Sequence, residues 1–303
     1  MKFSKKNPLS DLLQGLFSTY EKQVPDVKKI TQALIQRGVI RSQSEIVNDH
    51  IAFRTLGIPH LGIQSIEKIF LHFGYQKRDY YRFNEKKLNA YWFSPPEPEY
   101  PRIFISELCV DELSEPVQEI LNHYTKEITT DPVSKLNLND TQEVIAFFQN
   151  PLWQLPNWEH YEELLKESEY AAWVIYNRYY LNHYTISVHA LPSPLNNLES
   201  FNDFLNEIGV KMNSAGGIIK QSPDGLLLQS STVAQRVPSK FANGDIHEIS
   251  GSYVEFAERK VLPEFANNPQ DTLNSIQRRE GFEAGNADKI FESTFTSQTQ
   301  KDL

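Results

Sequence analysis

The chain has 303 residues, a formal net charge of −9 and 40% hydrophobic residues, enough apolar material for a sizeable core. No stretch reaches the length and apolarity of a membrane span, and the acidic balance argues against a nucleic-acid binder, which usually displays a basic face. The one cysteine, Cys109, has no partner for an internal disulfide and fits a reducing compartment, so a cytoplasmic protein is expected.

Residues 1–45 are read as an N-terminal helical segment. The start, MKFSKKNPLSDLLQGLF, is basic but lacks the long apolar run of a signal peptide. LSDLLQGLFSTY and VKKITQALIQRGVI have apolar residues at helical spacing and are separated near Pro25. A first β-α-β-β-β unit is expected over 46–110. It starts with the strand NDHIAFRTL (48–56) and the amphipathic helix GIQSIEKIFLHFGY (62–75). The hairpin YYRF–NEKK–LNAYWF follows, then a last strand, RIFISELCV, carrying Glu107. Residues 111–178 interrupt the pattern. SEPVQEILNHYTKEI, TQEVIAFFQN and WEHYEELLKESEYAAWVIYNR all read as helix, an insert expected to pack outside the sheet or to wall a cleft.

A second unit over 179–262 repeats the order. LNHYTISVH (181–189) matches NDHIAFRTL when His183 is set on His50. NLESFNDFLNEIGV (197–210) matches the first helix. LLLQSSTV (226–233) follows the turn SPDG, and GSYVEFAER carries Glu255 on the last strand. Residues 263–303 read as a tail with helical patches, and its polar end, TSQTQKDL, is expected to fray. The fold class implied is α+β: a single domain in which two βαβββ units pair into a curved, half-open, mostly antiparallel barrel.

The two units each place a histidine on their first strand and a glutamate on their last, which points to one metal site between them. Side chains on a strand alternate, so His50 and Arg54 share a face, as do His183, Thr185, Ser187 and His189. His183 and His189 stand roughly 20 Å apart on an extended strand, so one of them serves a single ion, and the repeat selects His183. On the last strand Glu255 shares a face with Tyr253, and Glu258 points away. Two histidines and one carboxylate with open positions opposite is the set used by non-haem Fe(II) oxygenases, whereas structural zinc sites favour cysteine. Glu107 is left open between a fourth ligand, a neighbour of the ligands and a solvent-facing residue. Arg54 is left between a ligand-binding role and a pair with an acidic neighbour. His60, His72, His123, His160 and His247 fall in turns or helices and receive no role.

These residues resemble the vicinal oxygen chelate superfamily, and within it the Fe(II)-dependent 2-oxoadipate dioxygenase/decarboxylase family, over roughly 45–290. DHIAFR is similar to the family's histidine–arginine motif, which implies His50 as a metal ligand and Arg54 as a catalytic anchor for a substrate carboxylate. NHYTIS and SYVEFAER resemble its other metal segments and imply His183 and Glu255. LLLQSSTVA is similar both to this family and to the LLQ-containing strand of 4-hydroxyphenylpyruvate dioxygenase, implying Gln229, Ser230 and Ser231 beside the substrate. GFEAGNADKIFES resembles a C-terminal helix that covers the site. The activity implied is oxidative decarboxylation of a 2-oxo dicarboxylic acid with O₂, from 2-oxoadipate to 2-hydroxyglutarate and CO₂. Its partners are the 2-oxo acid and O₂, with no nucleic acid or membrane and no reading of the oligomeric state. Two alternatives stand beside it: a glyoxalase-type lyase with Glu107 as fourth ligand, and a non-catalytic binding protein of the same fold.

Overall fold

The structure is a computed structural model and describes residues 3, 5–269 and 273–300. Two helices open it, α1 (Pro8–Gln23) and α2 (Pro25–Gln36). Pro25 has no N–H to continue the first ladder. It sits at the start of α2, where that N–H would have no partner.

The first unit is β1 (Asn48–Leu56), α3 (Ile63–His72), β2 (Gln76–Phe83), β3 (Leu88–Ser94) and β4 (Arg102–Leu108). The insert contributes α4 (Glu115–Thr125), α5 (Thr141–Gln149), α6 (Trp158–Glu167) and α7 (Glu169–Asn177). The helix expected to run unbroken through 158–178 stops at Ser168. That residue closes α6, and its hydroxyl accepts from the Ala171 N–H to cap α7. The second unit is β5 (His183–Ser187), α8 (Leu198–Glu207), β6 (Lys220–Gln221), β7 (Leu227–Ser231) and β10 (Tyr253–Arg259). Between β7 and β10 it carries a separate hairpin, β8 (Arg236–Lys240) and β9 (Ile246–Ser250). That hairpin was not anticipated, although Asn243-Gly244 in its loop, with Gly244 at φ 95°, is a recognisable turn signal. The tail forms α9 (Ala284–Phe291) and α10 (Thr296–Thr299). The segment expected to fray is thus partly helical, with Gln298 buried. Its last three positions lie outside the described residues.

The main sheet has the order β2-β3-β4-β1-β5-β10-β7-β6. Each unit contributes four adjacent strands in the same arrangement. Its first and last strands run parallel, the others antiparallel, and β1 meets β5 antiparallel at the centre. The two helices match as closely. Ile66, Ile69 and Phe70 of α3 and Phe201, Phe204 and Leu205 of α8 are buried on one face of each helix. Gly74 and Gly209, at φ 87° and 69°, end them in a left-handed conformation that suits glycine. In both, the next residue folds back onto the last turn, Tyr75 N–H to Phe70 O and Val210 N–H to Leu205 O. Among the described residues no helix is long and apolar enough to cross a membrane.

The registers give a residue-by-residue equivalence. His50 pairs with Arg102, and His183 with Tyr253. Counting along β4 and β10 from those pairs, Phe104 stands where Glu255 does, and Glu107 where Glu258 does. The sequence pairing of Glu107 with Glu255 is therefore three residues out. The side chains agree with the registers: Glu107 Oε2 accepts from the Ile63 N–H at the start of α3, and Glu258 Oε2 accepts from the Leu198 N–H at the start of α8. Each carboxylate caps its own unit's helix, where the helix dipole favours negative charge.

Candidate metal centre

β1 and β5 cross the middle of the sheet and bring His50 and His183 together. Their Nε2 atoms lie 3.3 Å apart. Glu255, next door on β10, places Oε2 at 3.1 Å from His183 Nε2 and 3.5 Å from His50 Nε2. All three side chains are buried. Thr185 Oγ1 is 3.1 Å from His50 Nε2.

Neighbouring groups fix which atoms face inward. His50 Nδ1 lies 2.9 Å from Asp49 Oδ1. A carboxylate can only accept, so Nδ1 carries the proton and Nε2 keeps a lone pair. His183 Nδ1 donates to Asn182 Oδ1 at 3.0 Å, with the same result. Glu255 Oε1 accepts from Gln229 Nε2 at 2.6 Å, which turns Oε2 toward the histidines. Gln229 is held in turn by Asn286 Nδ2 at 3.0 Å, from α9. With both rings neutral, three lone-pair atoms thus converge. Donors about 2.1 Å from one ion at right angles stand about 3 Å apart, so the observed spacing fits a shared cation.

The charges support the same conclusion. Burial would raise the Glu255 carboxyl, but His50 and His183 hold it well below the usual carboxylate range, so it is ionised. Burial pushes His183 down to about 4, leaving it neutral at physiological pH. Burial also works against a proton on His50, but Glu255 and Asp49 outweigh it and hold its pKa above the ordinary value. The cluster attracts positive charge, and a metal entering it displaces that proton.

Asp49 shows how the backbone builds the support. Neighbours on a regular strand face opposite sides. Here Asn48 pairs with Ile186 and Ile51 with Tyr184, so Asp49 and His50 together oppose Thr185 in a β-bulge. The extra residue lets Asp49 reach His50. Behind it, Arg259 grips Asp49 through two bonds, Nε–Oδ2 at 2.6 Å and Nη2–Oδ1 at 2.9 Å. Burial alone would raise the Asp49 carboxyl, but Arg259 and Arg102 hold it well below its usual range.

Arg54 lies on the same face of β1 as His50 and is fully buried. Nη1 donates to Thr294 Oγ1 at 2.9 Å and Nη2 to Phe291 O at 3.0 Å. The rings of Tyr170, Trp173 and Phe291 surround it, with centroids at 5.1, 5.2 and 5.6 Å. Tyr170 and Trp173 come from α7, so the insert packs around Arg54. Among the described residues no carboxylate makes an ion pair with Arg54, and its Nε has no partner. Glu169 acts on it electrostatically but is engaged by the N–H and hydroxyl of Thr296.

Of the other sequence candidates, Gln229 joins the cluster and Ser231 shares its face, with its hydroxyl 2.8 Å from Ser293 Oγ. Ser230 is turned away by strand alternation and donates to Asn202 Oδ1 on α8. His189 lies beyond the end of β5 in a short helical turn, where Nδ1 accepts from the Arg259 N–H. Glu107, engaged at α3, does not reach the cluster, so the four-ligand alternative loses its residue. Replacing Glu107 by Gln should therefore leave metal occupancy intact. It should cost about 0.3–1 kcal/mol of stability by denaturant unfolding, the usual weight of a charge at a helix N-terminus. Glu258→Gln should behave alike. Loss of metal from the Glu107 variant would return that residue to the centre.

Sequence reasoning missed Asp49, Asn182, Asn286 and Phe282. Phe282 sets its ring edge-on to His50 at 4.7 Å and packs on Phe104 at 4.9 Å, keeping water from one side of the cluster. The segment GFEAGNADKIFES held that signal. The space between these groups is bounded by His50, His183, Glu255 and Gln229 and by Phe104, Tyr253, Phe282 and Phe291.

Comparisons with known proteins agree with this picture. Residues 12–268 match the profile of the 2-oxoadipate dioxygenase/decarboxylase family. The chain is 45% identical over 268 residues to the chloroplastic 2-oxoadipate dioxygenase/decarboxylase of Arabidopsis thaliana, covering 85% of this chain and 70% of that protein. It is 44% identical over 300 residues to the chloroplastic/amyloplastic enzyme of Oryza sativa subsp. japonica, covering 95% and 79%. The crystal structure of hydroxyglutarate synthase from Oryza sativa in complex with 2-oxoadipate superposes with a TM-score of 0.87 at 40% identity, covering 99% of this chain and all of that one.

Proposed function

The chain belongs to the 2-oxoadipate dioxygenase/decarboxylase family, and from that membership we propose that it converts 2-oxoadipate and O₂ to 2-hydroxyglutarate and CO₂ at an Fe(II) ion held by His50, His183 and Glu255. One observation carries the assignment of residues: two imidazole Nε2 atoms and one carboxylate oxygen converge within 3.1–3.5 Å, each turned inward by a partner on its other side. When bound, Fe(II) offers open positions to the 1-carboxylate and 2-oxo group of the substrate and to O₂.

The protein's own groups do the rest. Asp49 and Asn182 hold the two rings in the tautomer that presents a lone pair. Gln229 keeps one Glu255 oxygen occupied and the other directed inward. Phe104, Phe282 and Phe291 make the cavity apolar, which strengthens every charge interaction inside it. Arg54 offers a buried, unpaired positive charge to the distal carboxylate. A guanidinium binds a carboxylate through two parallel bonds. The balance is complete: the 1-carboxylate leaves as CO₂ with its own two oxygens, one oxygen atom of O₂ completes the new carboxylate at the former keto carbon, and the other becomes the new hydroxyl.

The test is O₂ uptake by the Fe(II)-loaded protein against a panel of 2-oxo acids, with product identified by mass. Uptake matched by equal 2-hydroxyglutarate and CO₂ with 2-oxoadipate is the expected result. Metal binding without O₂ uptake would return the lyase or the non-catalytic reading. The single cysteine supports a reducing compartment such as the cytoplasm. The plastid location named for the two plant relatives is theirs.

A further inference from the structure

Tyr253 is the first residue of β10 and is fully buried. Its ring lies over His183, with centroids 4.8 Å apart and planes 32° apart, and its backbone oxygen accepts from the Tyr20 hydroxyl. The backbone is thus anchored and the ring packs on His183. Its own hydroxyl has no hydrogen-bond partner although no water reaches it. Such an atom costs about 1–3 kcal/mol unless something completes it. The side chain lines the cavity that His50, His183 and Glu255 share. Arg54 lies close enough for the two side chains to act on each other, and its Nε is also buried without a partner. Two neighbouring buried donors, both unsatisfied, call for an acceptor between them. Arg54 acts on the Tyr253 oxygen as a donor, and a guanidinium cannot accept, so the Tyr253 O–H itself is still left without an acceptor.

We propose that the Tyr253 hydroxyl donates to the same distal substrate carboxylate that Arg54 holds, making Tyr253 a specificity-determining residue for 2-oxo dicarboxylates. This rests on the proposed function and adds a second donor to it. A carboxylate offers about four lone-pair sites, enough for a guanidinium and a phenol together. The neutral phenol contributes direction without a second buried charge. A 2-oxo acid with an alkyl end would leave the hydroxyl unsatisfied, as it is in the free protein.

The experiment compares wild type with Tyr253→Phe, which keeps the ring and removes only the hydroxyl. Protein loaded with Zn(II), which does not activate O₂, is titrated calorimetrically with 2-oxoadipate and with 2-oxohexanoate, its alkyl counterpart. The variant should bind 2-oxoadipate about 10- to 100-fold more weakly, the weight of one hydrogen bond to a charged group, and 2-oxohexanoate as the wild type does. Without ligand it should retain its metal and unfold at an unchanged or higher temperature, since an unsatisfied buried group has been removed. Unchanged affinity for 2-oxoadipate, or equal weakening for both acids, overturns the proposal, and so does lower stability of the free variant. Failure of the proposed reaction shows separately, as absence of O₂ uptake by the wild-type Fe(II) protein, because the binding comparison does not depend on turnover.

Discussion

Glu255→Gln should strip the centre of its metal and abolish O₂ consumption. Glu255 supplies the only negative charge among the three converging groups, and its Oε2 lies 3.1 and 3.5 Å from the histidine nitrogens. Glutamine has the same shape but changes the chemistry. If its oxygen keeps the bond from Gln229, its amide nitrogen faces His50 and His183 and donates to their lone pairs. The variant then closes the centre with hydrogen bonds instead of holding a cation. The loss should exceed the roughly 10- to 100-fold typical when a supporting partner of a ligand is removed. Gln229→Ala, which leaves all three ligands, provides that smaller reference. His50→Ala and His183→Ala should match Glu255→Gln. Metal content after Fe(II) loading and desalting, measured beside O₂ uptake, reads both effects. Wild-type iron content in the Glu255 variant would rule out this ligand set.

Arg54→Lys should lower kcat/KM for 2-oxoadipate by at least about tenfold although the charge is nominally kept. The guanidinium spans Thr294 Oγ1 and Phe291 O and still has donors to spare, held flat among three rings. An ammonium on a shorter reach cannot fill both bonds and present a planar pair to a carboxylate. The burial that already lowers the arginine pKa would press harder on a lysine and favour its neutral form. Losing one charge-assisted hydrogen bond costs about 1.5–3 kcal/mol. The diagnostic is selectivity. Turnover of 2-oxohexanoate should change far less, whereas an equal loss for both acids would place Arg54 at the metal end of the substrate or in folding. Because Arg54 also ties down Thr294 and Phe291, thermal unfolding of the variant belongs beside the kinetics.

The histidines were legible because they occupy matched positions on two strands that the repeat makes neighbours. The carboxylate was legible on its own strand but not in its symmetry. Glu107 and Glu255 look alike as acids on last strands, and only the hydrogen-bond registers reveal that Glu258 is the true counterpart of Glu107. Asp49 was hidden by the alternation rule itself, since a bulge that turns two successive side chains the same way leaves no mark in a nine-residue pattern. The surroundings of Arg54 were out of reach for another reason. Tyr170, Trp173, Phe291 and Thr294 lie more than a hundred residues away in sequence, and helical periodicity says which face of α7 is buried without saying against what. Ser230 and Ser231 show the limit of a motif: adjacent on β7, they face opposite ways, and only one shares the face of Gln229.

Phe104 in the place that corresponds to Glu255 has a consequence for how such a centre can arise. Two identical copies of one βαβββ unit, joined as a symmetric dimer, must carry the same residue at both positions. A carboxylate there would appear twice and enclose the ion with four protein ligands, and a phenylalanine there would remove the carboxylate altogether. Neither dimer can supply three ligands on one side and an apolar wall on the other. Joining both units in a single chain releases the two positions from each other, so that one can carry the third donor and the other can shelter the space beside it.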